Sequence, residues 1–349
     1  MRAYGNNTEI IIDRDREAKS HGLLAERGLA PPLLARFENG LLYRFIQGRV
    51  CTPQDLISEP VWRGVAKRLG QWHGSLPIDS ALDGRPLTNG TNGTNGTNST
   101  NGNACNGDIS HNTDLPLSHP SKSIASRSPT PNIWTVMQRW VLALPVGTEA
   151  EKKRKLLLQR ELEKSFLELD DTSGLGYEGL VFGHCDLLSA NVIVLPSTSP
   201  ASQRSSTETV SFIDYEYATP CPAAFDIANH FAEWGGYDCD YNMLPTKSIR
   251  RKFLNEYLLS FASHTSDTIN STVMNKLAED VDRYRGMPGL YWGIWALIQA
   301  TISQIDFDYA SYAEVRLGEY WAWREETEGT RKRAGKEIPL RERRWAQEV

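Results

Sequence analysis

Two short stretches decide the fold, His184-Cys185-Asp186-Leu187-Leu188-Ser189-Ala190-Asn191 and Phe212-Ile213-Asp214-Tyr215-Glu216-Tyr217. Apolar runs with the composition of β-strands surround both of them. Leu180-Val181-Phe182 leads into the first stretch, Val192-Ile193-Val194-Leu195 follows it, and Val210-Ser211-Phe212-Ile213 leads into the second. Polar side chains therefore collect at the edges of short strands, and this pattern predicts a functional site at those edges.

The polar residues of these stretches have the spacing of a phosphoryl-transfer site. The pattern His-x-Asp-x-x-x-x-Asn, followed by another acid at a strand end, is typical of enzymes that move a γ-phosphoryl group from Mg·ATP to a hydroxyl. Asp186 fits the carboxylate beside the attacking hydroxyl, while Asn191 and Asp214 can offer oxygen ligands to Mg²⁺. We interpret His184 as a residue that holds the backbone of the loop. The sequence thus predicts a kinase-like catalytic lobe.

Length and composition indicate a globular protein with more than one core. A chain of 349 residues exceeds the usual size of one hydrophobic core, so we expect two lobes or domains. The proportions of hydrophobic residues, 40%, and of charged residues, 23%, are ordinary for a soluble protein. The net charge of -5 gives no general attraction to nucleic acid or to anionic lipid, so neither is an expected partner.

The cysteines and the apolar segments favour a cytoplasmic protein. The cysteines are odd in number, scattered and without C-x-x-C spacing, which predicts reduced thiols and no structural zinc. No secretion leader is visible at the N-terminus, and the most apolar stretch, residues 290–302, is too short to cross a bilayer. The sequence predicts no particular oligomeric state. The cysteines are Cys51, Cys105, Cys185, Cys221 and Cys239.

The N-terminal part has the pattern of a small lobe, residues 1–47. Residues 9–12 are strand-like, residues 15–27 are helical with Gly28 just past the end, and residues 41–46 are strand-like again. Two strands and one helix make a lobe with little sheet.

The remainder has the pattern of a large helical lobe, residues 48–330. A helix is predicted over 59–76, and helical patterning resumes near residue 132 and continues after the two polar stretches. Residues 88–130, which are rich in Asn, Gly, Thr, Ser and Pro, interrupt the lobe as a predicted disordered insertion. Residues 331–349 form a charged tail that we expect to be a solvated helix or a disordered end.

Longer motifs resemble the choline/ethanolamine kinase family, and its ethanolamine kinases more than its choline kinases. The resemblance implies an α+β, two-lobed protein-kinase-like fold of the choline kinase/aminoglycoside phosphotransferase type, with a small β-rich N-lobe and a large mainly helical C-lobe. It also implies ATP- and Mg²⁺-dependent phosphorylation of ethanolamine, an early step of phosphatidylethanolamine synthesis. The segments that carry the resemblance are residues 4–9, 13–15, 39–48, 184–191, 212–217, 225–234 and 292–300.

The resemblance assigns roles on the nucleotide side of the site. Asp186 would be the base, and Asn191 and Asp214 would hold Mg²⁺. Asp226 would brace the catalytic loop together with His184. Arg2 would grip phosphate with Glu17 as its partner, and three residues would line the adenine slot: Tyr43, Phe45 and Gln47.

Physical chemistry and the resemblance both indicate a small cationic acceptor. An ammonium group with a hydroxyl suits carboxylates, which accept its N–H bonds, and aromatic faces, which attract its charge. By spacing alone, Trp292 and Trp295 would be core residues, but the resemblance places them around the acceptor. The residues assigned to this pocket are Glu233, Trp292, Trp295, Phe307 and Tyr312.

Two departures from the family pattern leave alternatives open. Members of the family carry two further strands and a phosphate-covering loop before the strand of Arg2, so we expect a truncated N-lobe here. Cys185 stands where the family usually has Asn, beside the base. The alternatives are choline kinase activity, or a catalytically impaired protein that binds nucleotide or amine as the partner of another kinase.

Overall fold

The structure is a computed structural model that describes residues 2–5, 8–76, 78, 123–124, 131–196 and 206–349. The predicted insertion at 88–130 therefore lies outside the described residues, apart from Ser123 and Ile124, and so does Cys105. The described cysteines are all free thiols. The architecture is α+β, as predicted from the sequence, with small sheets and a majority of helix.

The N-terminal part is a three-stranded antiparallel sheet with one helix. Strand β3 (Gly40–Tyr43) lies between β1 (Arg2–Ala3) and β2 (Leu33–Phe37), and Arg2 pairs with Leu41 across the sheet. Helix α1 (Arg14–Glu26) begins at an Asp13 cap and is followed by Gly28 at φ 66°, the left-handed geometry that favours glycine after a helix. The predicted helix and its end are confirmed within one residue.

The predicted strand at residues 9–12 is wrong. Thr8–Ile10 forms a 3₁₀ turn, and the carbonyl of Thr8 accepts the amides of both Ile11 and Ile12. These isoleucines are 1% and 3% exposed, so two consecutive side chains enter the core. A strand alternates its side chains between two faces, and a turn was needed to bury both. The strand predicted over 41–46 also ends earlier, at Tyr43.

The C-terminal part is built from helices around a continuous apolar core. The predicted helix at 59–76 is confirmed, with the predicted face of Val61, Val65, Leu69 and Trp72 buried. None of the described helices is long and apolar enough to serve as a membrane span. Within the described ranges, the helices are α2 (Pro53–Leu56), α3 (Glu59–Ser75), α4 (Ile133–Ala143), α5 (Glu149–Leu169), α6 (Ala223–Ala232), α7 (Lys247–Ala262), α8 (Ser271–Tyr284), α9 (Met287–Ile302), α10 (Tyr309–Thr327), α11 (Thr330–Arg333) and α12 (Leu340–Ala346).

Five short strands form two small sheets around the two polar stretches. Strands β4 (Arg49–Val50), β6 (Val192–Val194) and β7 (Val210–Phe212) form one antiparallel sheet, and β5 (Val181–Gly183) pairs with β8 (Thr219–Cys221) in another. The three predicted strand runs are confirmed. Because β6 and β7 are adjacent and antiparallel, the loop before β6 and the loop after β7 meet at one sheet edge.

The segment predicted as a solvated or disordered tail instead packs on the helical lobe. Trp345 of α12 is 4% exposed, and its indole N–H donates to Asp282 over 2.8 Å. The guanidinium of Arg250 lies 4.0 Å from the centre of the Trp345 ring. Charges of the same helix are also buried, because Arg341 and Glu342 are 3% and 6% exposed and Glu342 pairs with Arg285 at 2.8 Å.

Close packing of α3 against α7 yields a stability prediction. A Cβ at Gly70 would lie 2.3 Å from the carbonyl oxygen of Tyr257, whereas a Cβ at Gly318 of α10 meets nothing within 4 Å. We expect Gly70→Ala to lower the free energy of unfolding by about 2 kcal/mol or more, because backbone must move to admit the methyl group. Gly318→Ala should raise it by about 0.5–1 kcal/mol, since alanine favours helix. Urea unfolding of both variants checks the pair, and an unchanged midpoint for Gly70→Ala would contradict the packing.

Candidate active site

The buried carboxylate of Asp226 holds the first polar stretch in place. Its two oxygens accept the backbone N–H of His184 at 2.9 Å and that of Cys185 at 2.7 Å. His73 of α3 donates to the same carboxylate at 2.9 Å. Burial alone would raise the pKa of Asp226, but the hydrogen bond and charge of His73 outweigh it and lower the pKa. The loop is therefore fixed from α6 and α3 together.

Further buried side chains bond the remaining loop backbone. The amide of Asn229 donates to the carbonyl of Cys185 at 3.0 Å, and His230 Nδ1 donates to the carbonyl of Leu187 at 2.8 Å. His184 Nε2 donates to the carbonyl of Ile213 at 3.0 Å, and so ties the first polar stretch to the second. His184 thus contacts backbone on both sides, which supports its predicted structural role. With these bonds, Cys185 is held at φ 62°.

Asp186 and Asn191 lie side by side at the base of a cavity. The side-chain amide of Asn191 donates to the backbone carbonyl of Asp186 at 2.8 Å and to its carboxylate at 3.1 Å. This orientation leaves the amide oxygen of Asn191 as an acceptor. Burial, with the negative charges of Asp214 and Glu233, raises the pKa of Asp186 well above its ordinary value. A carboxylate with a raised pKa is a stronger base than ordinary aspartate.

Asp214 enters the same cavity within a compact group of acids and arginines. Arg2 contacts the carboxylates of Asp214 and Glu216, and reaches Glu17 at 3.2 Å. Arg14 pairs with Glu17 and with Glu216, at 2.9 Å each. Burial alone would lower the pKa of Arg2, but these acids outweigh it and raise the pKa. Three carboxylates facing two guanidinium groups leave one excess negative charge beside Asp186.

The donor set suits a hard divalent cation such as Mg²⁺. Asp214 lines the cavity with a side chain 32% exposed, and its backbone has the left-handed φ of 68°. Asn191 offers its amide oxygen, and the carboxylate of Glu216 is close by. Oxygen-only ligands from carboxylate and amide are those that Mg²⁺ prefers. The residues present therefore fit the ion that the sequence predicted, and Asn191 and Asp214 are the residues that would hold it.

One cavity of about 320 Å³ unites the acids with an aromatic wall. Trp292 and Trp295 of α9 are fixed there, because their indole N–H groups donate to Asn229 at 2.9 Å and to the hydroxyl of Tyr217 at 2.8 Å. Another concavity is larger, at about 630 Å³, but it lacks this convergence of acids. The residues that line the 320 Å³ cavity are Asp186, Leu188, Ala190, Asn191, Asp214, Glu216, Tyr217, Glu233, Tyr237, Trp292, Trp295 and Tyr312.

Glu233 brings a further buried carboxylate to the same cavity. Burial raises its pKa, and Arg316 of α10 opposes that shift from 3.2 Å. Phe307, predicted for the same pocket, is 40% exposed and lies at the rim, with its ring 5.5 Å from Tyr312 and 6.0 Å from Tyr237. The cavity is thus lined by four of the five predicted acceptor residues, whereas Phe307 does not line it and only contacts two of the lining rings.

The predicted adenine residues do not join this cavity. Tyr43 is half-buried, with its ring 5.2 Å from that of His21. Phe45 is 81% exposed and Gln47 is also exposed. Their role toward the nucleotide stays a prediction.

Several residues of the site were missed by sequence reasoning. Glu216 and Tyr217 lie two and three positions after Asp214, within the quoted stretch, and their acidic and aromatic chemistry was a usable signal. Arg14 and Arg316 carried no such signal, because helical charge patterns are usually solvated. Only the fold brings them to Glu216 and Glu233.

Known proteins resemble this chain in sequence and in fold. The sequence model of the choline/ethanolamine kinase family matches residues 1–321. Ethanolamine kinase 1 of Mus musculus is 30% identical over 337 residues, which cover 93% of this chain and 77% of that protein. Probable choline kinase 2 of Arabidopsis thaliana is 27% identical over a match that covers 92% of this chain and 76% of that protein. The solved structure of an ethanolamine kinase from Plasmodium vivax superposes with a TM-score of 0.65 at 23% identity. The superposition covers 91% of this chain and 74% of that one.

The tautomer of His230 yields a prediction on pH. Its Nε2 accepts the indole N–H of Trp234 at 3.1 Å while Nδ1 donates to Leu187, so the ring is neutral, and burial lowers its pKa to about 4. The unfolded chain binds that proton at about pH 6.5, so stability is lost as the pH falls from there toward 4. Between pH 6.5 and 4.5 this contributes about 2 kcal/mol of destabilisation.

His230→Gln should remove this contribution, because a glutamine amide does not titrate. Urea unfolding at pH 6.5, 5.5 and 4.5 measures it, with His264→Gln, an exposed histidine, as the control. An equal loss of stability in the wild type and in His230→Gln would contradict the assigned tautomer.

Proposed function

The chain belongs to the choline/ethanolamine kinase family, and from this membership we propose that it transfers the γ-phosphoryl group of ATP to the hydroxyl of ethanolamine. The product would be phosphoethanolamine, which enters phosphatidylethanolamine synthesis. One observation carries the proposal: the cavity that contains Asp186, Asn191 and Asp214 is also lined by Glu233 and the two tryptophans of α9. Residues 1–47 would serve the nucleotide, and residues 48–330 the acceptor and the catalytic loop.

Asp186 would act on the acceptor hydroxyl. Its carboxylate lies on a loop held by Asp226, so it can take the hydroxyl proton without moving the backbone. Asn191 and Asp214 would hold Mg²⁺, which supplies positive charge to the transferring phosphoryl oxygens. Arg2 lies beside Asp214 and would add further positive charge near the transferring phosphoryl group.

The opposite wall would bind the ammonium group. A protonated primary amine can donate N–H bonds to Glu233 while its charge faces Trp292, Trp295 and Tyr312. Choline is the second candidate acceptor, favoured by the same aromatic wall, because its quaternary head gains from aromatic faces without donating hydrogen bonds. The buried carboxylate favours ethanolamine. We place the reaction in the cytoplasm, where the free thiols of the described chain would stay reduced.

The choice of acceptor is directly measurable. Incubated with Mg·ATP, the protein should phosphorylate ethanolamine with a kcat/KM at least about tenfold above that for choline, because a charge-assisted hydrogen bond is worth about 1.5–3 kcal/mol. Steady-state kinetics with both amines gives the ratio. A ratio below one would assign choline as the acceptor, and no turnover of either amine would contradict the proposed activity.

Replacement of Asp186 tests the catalytic assignment. Asp186→Asn keeps the size of the side chain and an oxygen for the Asn191 amide, but removes the base. We expect kcat to fall by about 10²–10⁴-fold while the Kd for ethanolamine changes little, because the lost interaction belongs to the transition state. Rapid-quench kinetics and calorimetric binding measure the two quantities. Parallel loss of binding and turnover would argue for a substrate-holding role instead.

A further inference from the structure

A row of buried charges connects the acceptor cavity to the C-terminal helix. It begins at Glu233 in the cavity wall, and carboxylates alternate with guanidinium groups along it. Successive distances are 3.2, 3.5, 3.9, 3.1 and 2.8 Å. The row runs through Glu233, Arg316, Glu319, Arg341, Glu342 and Arg285. Its first five residues are at most 6% exposed.

Arg316 is shared between two acids. Its Nη2 lies 3.2 Å from Glu233, and its Nε lies 3.5 Å from Glu319. With a side chain only 1% exposed, the guanidinium is shielded from bulk solvent, so its position depends on how strongly each carboxylate attracts it. Anything that changes the charge balance of Glu319 therefore changes the hold of Arg316 on Glu233.

Arg341 of α12 is the second cation that faces Glu319. Its Nε lies 3.9 Å from the same Oε2 atom of Glu319 that faces Arg316. Without this cation, Glu319 would be a buried carboxylate with Arg316 as its nearest guanidinium, and would draw Arg316 away from Glu233. A buried Glu233 without its counter-charge favours the protonated form, which cannot attract an ammonium group.

We propose that Arg341 is a positioning residue of the acceptor site, which keeps Glu233 charged and oriented through Glu319 and Arg316. The inference rests on the proposed function, because it concerns binding of the amine. It also assigns a role to a segment that begins after residue 321, where the match to the family ends. The packing of Trp345 makes α12 a rigid support for this contact.

The test compares two arginines of the same helix. Arg341→Met removes the buried charge while retaining an apolar stem, and Arg343→Met makes the same change at an exposed position. We expect Arg341→Met to raise the KM for ethanolamine by about fivefold or more, and to leave the KM for ATP within about twofold. Arg343→Met should leave both unchanged. If both KM values rise together in Arg341→Met, the effect is general destabilisation and the inference is overturned.

Two further variants separate the proposed coupling from folding. Arg341→Lys retains the charge and should keep the KM for ethanolamine within about threefold of the wild type. In a Glu319→Gln background, Arg341→Met should cause little additional change, because the residue through which it acts is already neutral. Additive effects of the two substitutions would overturn the inference. Failure of the wild type to phosphorylate ethanolamine would instead refute the proposed function itself.

Discussion

The site depends on the buried carboxylate of Asp226, a residue of α6 that accepts three hydrogen bonds. Two come from consecutive backbone amides of the catalytic loop and one comes from His73. Two adjacent amides directed at one acceptor require the backbone to turn sharply, and Cys185 accordingly sits at φ 62°. Left-handed geometry in a residue other than glycine persists only where its surroundings enforce it. Asp226 supplies that enforcement, and the direction of Asp186 follows from it.

Electrostatic balance is the second constraint on the site. Carboxylates concentrated around one cavity would repel one another and take up protons unless cations were built in beside them. Arg2 and Arg14 are the cations beside Asp214 and Glu216, and Arg316 is the cation beside Glu233. These cations oppose protonation of the acids that line the cavity. The cations belong to distant parts of the chain, so the site is complete only when the whole chain is folded.

Local pattern was sufficient for much of the fold, and long-range burial decided the rest. The helix at 59–76 and the strands around Asp186 follow from periodicity and from the polar residues that end them. Residues 9–12 have the composition of a strand, but the core needed two neighbouring side chains at once. Residues 331–349 are predicted to be solvated because charges dominate their sequence, yet Trp345 packs against the helical lobe. For the candidate site, acids and aromatics were visible in the sequence, whereas their arginine partners depended on tertiary contacts.

Asp186, Asn191 and Asp214 line one cavity, where they would act together on one ion and one alcohol. A crystal structure with Mg²⁺, a non-hydrolysable ATP analogue and ethanolamine tests it most directly. We expect the ion at about 2.0–2.1 Å from oxygens of Asn191 and Asp214, and the hydroxyl within hydrogen-bond distance, about 2.6–3.2 Å, of Asp186. An ion bound elsewhere with both side chains unligated, or an amine whose hydroxyl points away from Asp186, would contradict the account.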